Sequence, residues 1–119
     1  MPRQSQRRRI CRLARRFLLA KARVAAMEDD AYDDVLTPAD REAVCGEMFA
    51  ARAQLVAAVL AAAGRDLDSD PVVVDVGACL VVVAEAPENE GTREQWCDPA
   101  VAIFRKDQVV RLGRDTVRA

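Results

Sequence analysis

Between residues 8 and 27, apolar side chains recur three and four positions apart: Ile10, Leu13, Phe17, Ala20, Val24 and Met27. That spacing collects them on one side of a helix. Arg8, Arg12, Arg15, Arg16 and Arg23 fall on the opposite side, with Leu19 among them. The same register suits a short coiled-coil seam of fewer than three heptads.

An acidic connector follows over residues 28–36, and then a second helix is announced by its ends. Thr37 is a good N-cap, Pro38 suits the first helical position, and Asp40 stands where a capping-box acid belongs. Gly64 is placed to close the helix as a C-terminal cap. One face carries Cys45, Met48, Phe49, Leu55, Val56, Val59, Leu60 and Ala63, while the back carries Ala43, Ala50, Ala57 and Ala61. A helix that is apolar or small all round packs on more than one side, so a central position or a second subunit on the alanine face is expected. High alanine helix propensity alone would also fill an exposed face with alanine.

After the polar connector over 66–71, the period changes. Val72–Asp75 and Cys79–Val83 are β-branched runs broken at Val76-Gly77-Ala78, where Gly77 marks a tight turn or bulge. Residues 86–99 read as a polar loop. Ala100–Phe104 and Val109–Leu112 flank Arg105-Lys106-Asp107-Gln108 as a further hairpin. The expected fold class is α+β, in one domain over 1–119. A helical hairpin over 8–64 packs on a three- or four-stranded antiparallel sheet over 71–112, and 113–119 form a frayed tail.

Charge adds an asymmetry that the net value of −1 conceals. Residues 1–27 hold nine of the eighteen Lys and Arg and no acid, whereas the next seven residues, Glu28–Asp34, hold five acids and no base. Such a division points to a partner for the basic end, or to neutralisation by the acidic block of the same or another subunit.

The chemistry-bearing residues exclude more than they indicate. The chain has no histidine, so Cys-His and Ser-His nucleophile pairs cannot form. No P-loop, dinucleotide fingerprint or Gly-x-Ser-x-Gly elbow is present. No catalytic residue and no cofactor are therefore expected. The four cysteines, at 11, 45, 79 and 97, form no closely spaced pair, so no metal is expected and the thiols read as small core residues. Cys79 and Cys97 could meet across the sheet.

The longest uncharged apolar helical run, Ala53–Ala63, is too short to span a bilayer, so no membrane partner is expected. Lys21 and Arg23 interrupt what would be the apolar region of a twin-arginine signal, and serine is scarce for a mitochondrial presequence. A cytoplasmic location is the expectation.

Two function classes follow. The first is a non-catalytic interaction or assembly module that associates with itself or a protein partner. Its candidate interface comprises Arg52, Ala57, Ala61 and Trp96. Arg52 falls within the apolar face of the second helix, either pairing with an acid such as Asp75 or anchoring a partner. Trp96 either caps the core edge or anchors an interface. The alternative is a non-specific nucleic-acid-binding accessory protein that uses the Arg8, Arg12, Arg15, Arg16 and Arg23 face against phosphates or an acidic surface.

Overall fold

The computed structural model describes residues 3–29, 34–85 and 99–105. It shows an α+β arrangement of two helices, α1 (Gln4–Met27) and α2 (Pro38–Ala63), and a sheet of β1 (Val72–Asp75), β2 (Cys79–Ala84) and β3 (Ala100–Arg105). The expected strand at Val109–Leu112, the loop with Trp96 and Cys97, and the tail lie outside the described residues.

The two helices form an antiparallel hairpin, as three cross-links at descending positions show. Arg16 donates to Gln54 (3.4 Å), Arg23 to Glu47 (3.2 Å), and Arg41 to the Met27 carbonyl (3.1 Å). The last of these satisfies one of the carbonyls left open at the end of α1.

The ends of α2 match their sequence signals. The Thr37 hydroxyl accepts from the Asp40 N–H (3.1 Å) and the Asp40 carboxylate accepts from the Thr37 N–H (3.0 Å). Gly64 closes the helix in the left-handed conformation at φ 65°, which a residue with a Cβ resists. At α1 the cap is only half made. Gln6 accepts from the Arg3 N–H (2.8 Å), but the Arg3 side chain makes no capping bond, having no acceptor to offer.

The sheet has the order β1-β2-β3, with both pairings antiparallel. Val72 faces Val83 and Val74 faces Val81, while Val81 and Val83 face Ile103 and Val101 across the other ladder. These six side chains therefore share one face. Val72, Val74, Val81 and Val83 are buried there against Leu55, Val56 and Val59 of α2 and Ile10, Ala14 and Phe17 of α1. The opposite face, with Val73, Leu80, Val82 and Phe104, is half-buried.

Gly77, at φ 92°, makes the turn between β1 and β2, where the Asp75 carboxylate accepts its N–H (2.8 Å). The Val76 side chain folds into the core beside Cys11, whose thiol points at the Val76 carbonyl (3.8 Å).

Candidate functional site

The hairpin leaves two surfaces with different chemistry. On α1 the residues that pack inward are Ile10, Ala14, Phe17, Ala20 and Met27, with Leu13 and Val24 half-buried. All five arginines of the expected basic face, Arg8, Arg12, Arg15, Arg16 and Arg23, are exposed. The structure divides them. Arg16 and Arg23 lean onto α2, toward Gln54 and Glu47. Arg8, Arg12 and Arg15 make no hydrogen bond or ion pair among the described residues. They line a depression of about 480 Å³ together with Ser5, Cys11 and, from the β1–β2 turn, Val76.

Just beyond Arg15, Leu18 and Leu19 are 47% and 62% exposed. No acid occurs anywhere in α1. Glu28 and Asp29 follow its far end, and at 1.5 Å rise per residue they stand roughly 20 Å from Arg15 and about 30 Å from Arg8. The Debye length at physiological salt is about 8 Å. These acids therefore do not neutralise Arg8 and Arg12 within one chain.

The second surface is the outer side of α2. Ala51, Leu55, Val56 and Val59 turn inward. Ala43, Gly46, Ala50, Ala53, Ala57 and Ala61 are exposed in a row along the other side. Phe49, expected on the buried face, is 49% exposed beside that row, and Ala63 is exposed as well. With apolar residues on all sides of α2, periodicity does not fix which of them turn inward.

Two depressions flank the row. One, of about 450 Å³, is lined by Phe49, Arg52, Ala53, Val56, Ala57 and Leu60 of α2 with Pro99. The other, of about 200 Å³, lies between Gln6, Arg9 and Ile10 of α1 and Ala57, Ala58 and Ala61 of α2. Ala57 is the ridge common to both.

Arg52 is half-buried at the first depression, its guanidinium 5.0 Å from the centroid of the Phe49 ring. The Asp75 carboxylate, at the end of β1, accepts the Gly77 N–H. Trp96 lies outside the described residues. Cys11, Cys45 and Cys79 are free thiols. Burial, then the neighbouring Cys11 and Asp75, push the Cys79 thiol up from its ordinary value. Among the described residues, no group of three or more metal-binding side chains comes together.

By length and composition α2 is apolar enough to cross a membrane: an 18-residue window has mean hydropathy 1.5 and is 22% buried. The uncharged run Ala53–Ala63 is shorter than this window because Arg52 bounds it. Compared with known proteins, the chain matches no family model, no curated protein and no solved structure.

Proposed function

We propose that this protein is a non-catalytic assembly module that pairs with a second copy of itself through the outer face of α2. The observation that carries the reading is the row Ala50, Ala53, Ala57 and Ala61, exposed beside a half-exposed Phe49. Small side chains let two helices approach closely, and a protruding ring beside a depression gives the face both halves of a self-complementary contact. A two-fold axis requires that combination on one patch. With the axis at Ala53 and the helices antiparallel, Phe49 of one copy meets Ala57 of the other. Arg52 then sits at the rim, its stem packed and its charge near solvent.

A bilayer span is less well supported. Glu47 and Arg52 stand in the middle part of α2, and one side of the helix is occupied by the core. Charges at such depth cost several kcal/mol, about 2.5–3.5 for an arginine at the centre.

Sedimentation of the full chain tests the reading. A dimer is expected at micromolar concentration, and Ala57→Glu should dissociate it by placing an unpaired carboxylate in the contact, at a cost of about 3–5 kcal/mol. A monomer in the unsubstituted protein at micromolar concentration, or a dimer indifferent to Ala57→Glu, overturns it.

A further inference from the structure

We propose that Arg8, Arg12 and Arg15 form a strip that binds the phosphodiester backbone of duplex nucleic acid without regard to sequence. The strip stands on α1 and is separate from the α2 face. Its residues are spaced four and three apart, so their guanidinium groups rise from one line of the helix at steps of about 6 and 4.5 Å. All three are exposed and none is paired with a described residue. Arg9 and Arg16 flank the line, and no acid interrupts it.

The neighbouring depression of about 480 Å³ gives a phosphate group room beside the helix. Guanidinium binds phosphate in a two-pronged geometry, and counterion release supplies the free energy.

The surroundings narrow the ligand further. Among the described residues, no aromatic ring stands beside the strip. Phe17 is buried, and Phe49 and Phe104 belong to α2 and the sheet. These three rings therefore offer no base stacking at the strip, which favours a duplex over a single strand. Anionic lipid fits less well, because an interfacial helix must sink its apolar stripe into the bilayer, and that of α1 is consumed in the core. Leu18 and Leu19 alone remain outside.

Fluorescence anisotropy with a labelled 20-base-pair DNA duplex of arbitrary sequence provides the test. For three phosphate contacts the slope of log K against log salt is about −2.7, so affinity should fall about fortyfold between 50 and 200 mM KCl. The Arg8→Gln/Arg12→Gln/Arg15→Gln protein should lose the binding, and each single Arg→Gln substitution should reduce the slope by roughly one. Circular dichroism of this variant checks that α1 persists. Arg23→Gln, whose side chain is already taken by Glu47, should bind within about threefold of the parent.

The proposal is overturned by any of three results. These are no binding at 50 mM KCl, binding unaffected by the triple substitution, or capture by phosphatidylserine vesicles but not by the duplex. Because Ala57→Glu leaves the strip intact, failure of the α2 contact and failure of the arginine strip are read separately.

Discussion

The guanidinium of Arg52 lies 5.0 Å from the centre of the Phe49 ring, one turn earlier on α2. The pair holds a half-exposed aromatic ring upright at the edge of the alanine row and gives a half-buried arginine a partner on its own helix. A cation over a ring face at a site open to water contributes about 0.5–1 kcal/mol. A double-mutant cycle with Phe49→Leu and Arg52→Met, read by urea unfolding, should give a coupling of that size. Strictly additive substitutions would mean that the contact does not stabilise the fold.

The reciprocal bonds between Thr37 and Asp40 make the start of α2 sensitive to pH. The Thr37 backbone N–H, and then its hydroxyl, hold the Asp40 carboxyl below its ordinary value of 3.8. A carboxyl lowered by folding stabilises fully above the unfolded value and loses that contribution as pH falls through the lower folded value. Asp40→Asn should therefore be less stable than the parent at pH 7 and indistinguishable from it near pH 2. Thr37→Ala should cost about 1 kcal/mol at pH 7. A difference between the Asn variant and the parent that persisted near pH 2 would show that the charge is not responsible.

Three glycines should respond to alanine in different ways. Around each of Gly46, Gly64 and Gly77 an added Cβ would meet nothing within 4 Å, so backbone conformation alone decides the sign. At Gly64 (φ 65°) and Gly77 (φ 92°) alanine is strained, and each substitution should destabilise by about 1–2 kcal/mol. Gly46 lies inside α2 with no such φ, so alanine there should stabilise by about 0.5–1 kcal/mol. Thermal unfolding of the three variants would check the ordering. Destabilisation by Gly46→Ala would contradict it.

The raised Cys79 thiol predicts slow chemistry. Thiolate is the reactive form, so at pH 8 Cys79 should be alkylated by iodoacetamide more slowly than glutathione under the same conditions. In urea the difference should disappear as the burial is removed. Mass spectrometry of the labelled peptide follows both rates. Reaction in the folded protein at the glutathione rate would show that the thiol is not shielded.

The legible parts of this fold are those set by neighbouring residues. Thr37, Pro38, Asp40 and Gly64 marked the limits of α2 because caps are local devices. The β-branched runs likewise marked β1 and β2, and the apolar stretch from Ala100 marked β3, with each of the last two strands one residue longer than expected. The start of α1 was not legible in the same way. It begins at Gln4 rather than residue 8, because glutamine and arginine are good helix formers that leave no mark in an apolar stripe beginning at Ile10.

The candidate surfaces divide similarly. The polar side of α1 followed directly from periodicity, since a helix with one apolar stripe has only one way to face the core. Which of its arginines stay unpaired depends on where Gln54 and Glu47 arrive from the other helix. No local pattern in α1 carries that information. The exposure of Phe49 was hidden for the opposite reason, an excess of apolar choices around α2.

The incomplete cap at Arg3 has a consequence for order as well as for binding. The N-terminal pole of a helix carries a partial positive charge, and here it is followed by Arg7, Arg8 and Arg9 with no acid in the first turn. The opening turns thus work against their own field, while the rest of α1 is held by the core. Their persistence becomes a gauge of the anions around them. Hydrogen exchange at the backbone amides of Arg7 to Arg9 should be fast in dilute chloride and slow as a multivalent anion is added, with the amides of Phe17 to Ala20 unchanged.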